Sequence, residues 1–101
     1  MVYLHVTLKI RAGKMDQFCE ALSHLVPIYE SYGRRLLGGW RSVTGRSNVV
    51  VNLWELPDAN AHQSIRDLAM QHPEVATWRP GINESVEEED VVIMNRVPYS
   101  R

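Results

Sequence analysis

The chain reads as an α+β domain with element order β-α-β-β-α-β, the split-βαβ or ferredoxin-like arrangement. Three observations predict it. The opening nine residues alternate apolar and polar. Two strand patterns each run through a short turn into an amphipathic helix, and a Gly-containing hairpin joins the second and third strands. With 101 residues there is room for one domain, residues 1–101, and not two.

In Val2–Ile10, Val2, Leu4, Val6, Leu8 and Ile10 share one face, and Tyr3, His5, Thr7 and Lys9 the other. That is a half-buried strand by its period of two. Residues 11–14 turn the chain. A helix follows over 14–31, where Met15, Phe18, Cys19, Leu22, Leu25, Val26 and Tyr29 recur at spacings of three and four. Pro27 lies inside the pattern and is expected to kink it or weaken its last turn. Gly33 is a suitable C-terminal stop.

Residues 36–43 read as the second strand, 44–47 as a hairpin turn and 48–56 as the third strand. Pro57 and Asp58 end that strand and begin a helix over 58–70, with Asp58 as its cap. His72-Pro73 opens a further helical turn that carries Val75 and Trp78 and ends near residues 79–81. The run Glu87-Glu88-Glu89-Asp90 reads as a solvated turn, and 90–97 as the fourth strand.

This order puts both helices on one face of a four-stranded antiparallel sheet and leaves the other face uncovered. If Val49, Val51 and Leu53 meet the helices, the open face shows Tyr3, His5 and Thr7 beside Val50, Asn52 and Trp54. Such a face is too apolar for water and too polar for an ordinary core. Two sheets packed face to face as a homodimer would solve this and leave a lined cleft in each subunit.

The cleft residues suggest chemistry. His5 titrates near neutral pH and is the expected general acid or base. The Asn52 amide can polarise a carbonyl, and the Trp54 indole can stack on a flat ligand. Tyr3, Tyr32, Trp40, Arg41, His62 and Trp78 complete the expected substrate contacts. The double glycine Gly38-Gly39 marks either close approach of a neighbour or a bulge. A bulge there would exchange Trp40 and Arg41 between faces; the expectation is Trp40 in the cleft.

Other classes are disfavoured. The 11 Lys and Arg against 12 Asp and Glu give a net charge of -1, with no basic stripe for nucleic acid. No apolar run approaches the ~20 residues that span a bilayer. There is no Rossmann fingerprint, P-loop or nucleophile elbow, and no paired ligands at metal spacing. The single cysteine, Cys19, permits no intrachain disulfide and suits a reducing, cytoplasmic setting; its place in the helical pattern suggests a small buried hydrophobe.

The segments "LKIRAGK" (8–14), "GRRLLGGW" (33–40) and "NVVVNLW" (48–54) together resemble the NIPSNAP family of the dimeric α+β barrel superfamily. The resemblance spans residues 2–78. It implies a homodimer whose sheets form one barrel. Relatives in the superfamily include cofactor-free monooxygenases of aromatic polyketides, muconolactone-isomerase-like proteins, polyketide cyclases and haem-dependent enzymes. In the cofactor-free monooxygenases Asn, Trp, Tyr and Arg are implicated together; the comparable types here are Asn52, Trp54, Tyr3 or Tyr32, and Arg41 or Arg79. Asn52 stands where the family often has His. The resulting expectation is an enzyme without organic cofactor or metal that cyclises, isomerises or oxygenates a flat, partly apolar, polyketide-like substrate. The alternative is a non-catalytic binding or interaction protein on the same scaffold.

Overall fold

The computed structural model describes residues 1–101. The elements are β1 (Val2–Ile10), α1 (Met15–Ser31), β2 (Arg35–Arg41), β3 (Val49–Leu56), α2 (Asn60–Met70), α3 (Pro73–Ser85) and β4 (Val86–Met94). The strands form one antiparallel sheet in the order β2-β3-β1-β4, as the ferredoxin-like reading requires. No helix is long and apolar enough to cross a membrane.

The helices cover one face. The core joins Leu4, Val6, Leu8 and Ile10 of β1 to Phe18, Leu25, Ile28 and Tyr29 of α1, with Ile65 and Ala69 of α2 and Val75 of α3. On β3 the phase is the reverse of the expected one. Leu4 lies directly opposite Trp54, Val6 opposite Asn52 and Leu8 opposite Val50. Opposed residues of an antiparallel pair share a face, so Val50, Asn52 and Trp54 point under the helices. All three are buried, Trp54 to 1% exposure. Val49, Val51 and Leu53 take the open face, with Tyr3, His5 and Thr7.

The second strand carries the bulge foreshadowed by its glycines. Leu36 opposes Trp54 but Gly38 opposes Leu53, leaving Leu37 as the extra residue. Beyond it Gly38 and Trp40 lie on the open face, and Gly39 and Arg41 on the helix side. Each glycine makes room for one side chain. A Cβ on Gly38 would come within 2.6 Å of the Trp40 ring, and one on Gly39 within 2.6 Å of Asn52 Oδ1.

Two further boundaries differ from expectation. The last helix runs through Pro80 and Gly81 to Ser85, and the acidic run belongs to β4 rather than to a turn. Four consecutive acidic residues hide a strand from a hydrophobicity pattern, but an edge strand solvates them at little cost. α1 runs through Pro27 and ends at Ser31, as expected from sequence. Cys19 is exposed, not buried.

The end of α1 is set by Gly33. Its φ is 100°, which an L side chain resists. The Gly33 amide donates to the Glu30 carbonyl at 3.0 Å, and the Arg34 amide donates to the Tyr29 carbonyl at 3.1 Å. These two bonds form a Schellman motif. It returns the chain over the last turn, so Arg34 lies against Tyr29. Alanine at Gly33 meets no steric neighbour within 4 Å, so its effect is backbone strain alone. Gly33→Ala is expected to lower unfolding free energy by about 1 kcal/mol in urea denaturation. An unchanged midpoint would show that the left-handed turn is not under strain.

Candidate functional site

A cavity of about 300 Å³ lies between the sheet and the helices. Leu4, Val6 and Leu8 of β1 and Asn52 and Trp54 of β3 form its floor. Phe18, Leu22, Leu25 and Tyr29 of α1 form one wall. The polar lining is Arg34, His62 and Arg66 of α2, Arg79 and Asn83 of α3, and Glu89 of β4. The inward faces of β1, β3 and α1 supply mostly apolar groups, and the turn after α1, the two later helices and β4 supply the charge.

Arg34 is the most constrained of the charged residues. Its guanidinium carbon lies 4.7 Å from the Tyr29 ring centroid and 4.4 Å from that of Trp54. Those rings meet edge to face, with centroids 5.9 Å apart at 77°. Two cation–π contacts hold the guanidinium in place. Its Nε is buried with no hydrogen-bond partner. Burial pushes the Arg34 pKa down, yet arginine remains cationic at neutral pH. Tyr29 takes a second arginine: Arg79 Nη1 donates to its hydroxyl at 3.3 Å.

His62 faces the same space. Its Nδ1 is also buried without a partner. Desolvation lowers its pKa first, and the nearby Arg34 and Arg66 charges lower it further, against a pull upward from Glu89. The imidazole is therefore neutral at pH 7 and able to take a proton.

The site residues expected from sequence separate into two faces. Asn52, Trp54 and His62 line the cavity. His5 does not: it is half-buried on the open face, between Leu53 and Val92. The expected pairing of His5 with Asn52 therefore fails, because the two point to opposite sides of the sheet. Tyr3 is on the open face too, under Arg96, whose guanidinium carbon is 4.9 Å from its ring centroid. Trp40 is 58% exposed on the open face, where it was expected, but the cavity is on the other side. Trp40 and Arg41 both border a separate groove between α1 and β2, together with Met15, Cys19 and Val26. Phe18, Leu22 and Asn52 border both spaces. Tyr32 packs against the core outside the cavity. Trp78 stacks on His24 at 3.8 Å and 4°, clamping α3 to α1.

Sequence reasoning missed Arg34 and Arg66. For Arg34 a signal was present. A residue immediately after a helix-ending glycine is carried back over the helix, and an aromatic residue five positions earlier gives its cation a ring to cover.

A family model described as NIPSNAP matches residues 3–101. Among solved structures, an uncharacterised NIPSNAP domain protein from Burkholderia xenovorans is 24% identical, with a TM-score of 0.86 over 100% of this chain and 99% of that one. A NIPSNAP family protein from Agrobacterium tumefaciens is 22% identical, with a TM-score of 0.88 over 99% of this chain and 91% of that one. A structure named as an antibiotic biosynthesis monooxygenase is 20% identical, with a TM-score of 0.66 over 97% and 100% of the two chains. These likenesses establish the ferredoxin-like α+β fold. No curated protein matches the chain.

The lowered His62 pKa has a sign that can be checked. Below the ordinary imidazole pKa, the unfolded chain binds a proton at His62 that the folded chain resists. Stability at this residue is therefore lost as pH falls through that range. In an NMR titration His62 is expected to titrate below 6.5, the ordinary value. In Arg34→Gln the midpoint moves partway back up, since desolvation remains. A midpoint at or above the ordinary value in the native chain would remove the neutral-imidazole assignment.

Proposed function

This chain belongs to the NIPSNAP family, and we propose that it is a small-molecule enzyme working in the cavity beneath its helices, on a flat, partly apolar substrate and without an organic cofactor. One observation carries the reading. A neutral imidazole with an unpartnered nitrogen, His62, shares a mostly apolar cavity with a carboxamide, Asn52, and an indole, Trp54.

The chemistry follows from those groups. The substrate plane rests against Trp54. His62 accepts a proton from an acidic carbon or phenol of the substrate. The Asn52 amide donates a hydrogen bond to the oxygen on which the negative charge collects. Cyclisation, isomerisation and oxygenation of a polyketide-like compound share this first step, a delocalised anion formed by proton loss. His62 thus takes the acid/base role that His5 was expected to fill. The likeness to a structure named as a monooxygenase supports this range of reactions by fold alone.

A non-catalytic binding protein is the second reading, favoured by the same Nδ1. A catalytic base is commonly oriented by a third group on its other nitrogen, and nothing in the chain holds His62 in that way.

Proton exchange separates the two. A panel of planar 1,3-diketones and polyphenols in D2O, followed by NMR, is expected to include compounds whose exchange the native chain accelerates. His62→Gln should lower that acceleration by about 100-fold while the compound still quenches tryptophan fluorescence. Equal exchange in His62→Gln would end the base assignment. Binding without accelerated exchange by the native chain would favour the binding protein.

The working form is a homodimer through the open sheet face. Trp40, Val92 and Met94 are exposed there, and Val91 and Ile93 are exposed on the other side of β4. Apolar side chains on both faces of an edge strand call for a partner. Sedimentation equilibrium is expected to give a dimer, and Val92→Glu, beside His5, a monomer. A monomeric native chain at micromolar concentration would overturn this assembly.

A further inference from the structure

The cavity's charge goes beyond what proton transfer requires. Three guanidinium groups, Arg34, Arg66 and Arg79, line it against the one carboxylate of Glu89. The chain as a whole is slightly acidic, at -1, so this concentration of cations is local. None of the three arginines is in an ion pair; the chain's salt bridges join Lys14 to Glu84 and Arg46 to Glu88. Arg79 is engaged only with a neutral hydroxyl, that of Tyr29.

We infer that the ligand of this cavity is an anion, a planar unsaturated or aromatic carboxylate whose charged end is held by Arg34 and Arg66. Rigidity and an unfilled donor make Arg34 the anchor. Two aromatic rings fix its guanidinium, so little rotamer entropy is left to lose on binding. Its buried Nε lacks an acceptor, and a buried unmade hydrogen bond costs free energy until a ligand fills it. A carboxylate matches the planar guanidinium fork, and charge-assisted bonds of this kind are the strong ones. Arg66 is exposed at the rim, where it draws an anion inward. The apolar floor of Leu4, Val6 and Trp54 then receives the flat hydrocarbon part.

This inference rests on the cavity being the ligand site. The test uses two probes of the same shape, 2-naphthoate and the neutral 2-naphthamide, titrated into the full-length chain by calorimetry. Naphthoate is expected to bind about tenfold more tightly or better, and increasing salt to weaken it selectively. Arg34→Gln should erase the preference while naphthamide affinity stays within about twofold. Arg66→Gln, at an exposed position that cannot disturb the core, should reduce the preference severalfold. Equal affinities in the native chain, or a preference that survives both substitutions, would overturn the anionic ligand and leave the cavity reading intact. Failure of both probes to bind would overturn both.

Discussion

The Arg34 guanidinium over the Tyr29 and Trp54 rings is the contact on which the rest of this site depends. It ties the last turn of α1, through Tyr29, and the turn that follows that helix to Trp54 of β3. The contact is possible because Gly33 adopts a left-handed conformation and closes a Schellman turn. A helix ended by another device would send Arg34 elsewhere. The Trp54 ring would then lose its cation, and the cavity wall would lose its fixed charge. One residue without a side chain thus determines the position of one with a long, charged side chain.

A second glycine works further along, in the edge strand β2. Gly39 faces Asn52 across the β2–β3 ladder, and the space its missing Cβ leaves is where Asn52 Oδ1 sits. The bulge at Leu37 brings this about, because it changes which residues of β2 point under the helices. The polar floor of the cavity is therefore built by backbone features on strands that carry few polar groups. Buried Asn needs such accommodation: its amide has more hydrogen-bonding capacity than an apolar core can satisfy, and Asn52 here borders the cavity.

Much of this was legible in the sequence, and the failures have physical causes. The alternation in β1 has polar residues at every second position, so its faces were unambiguous. In β3 the residues Val49, Val50, Val51, Leu53 and Trp54 are all apolar, and a period of two cannot be phased when both faces are apolar. Only the register against β1, with Leu4 opposite Trp54, decides it. That single phase error moved Asn52 and Trp54 to the wrong side of the sheet, and with them the cleft. The strand under Glu87 to Asp90 was hidden for another reason: at a sheet edge, solvent rather than packing determines which residues are tolerated. Arg34 and Arg66 carry no mark in composition or spacing, because the burial of Arg34 and the place of Arg66 at the cavity rim depend on tertiary neighbours.

The arginines and His62 also constrain each other. Each cation near His62 disfavours its protonated form, so the same charges that suit an anionic ligand keep the imidazole unprotonated at neutral pH. The two properties would conflict if the ligand were a cation, since it would compete with the arginines for Glu89. With an anion they cooperate. Under the proposed reading, the negative charge of an anionic ligand would offset Arg34 and Arg66, raise the proton affinity of His62 on binding, and so favour transfer of a substrate proton to that ring. A cavity whose base gains strength only when its substrate is present uses binding energy where the chemistry needs it.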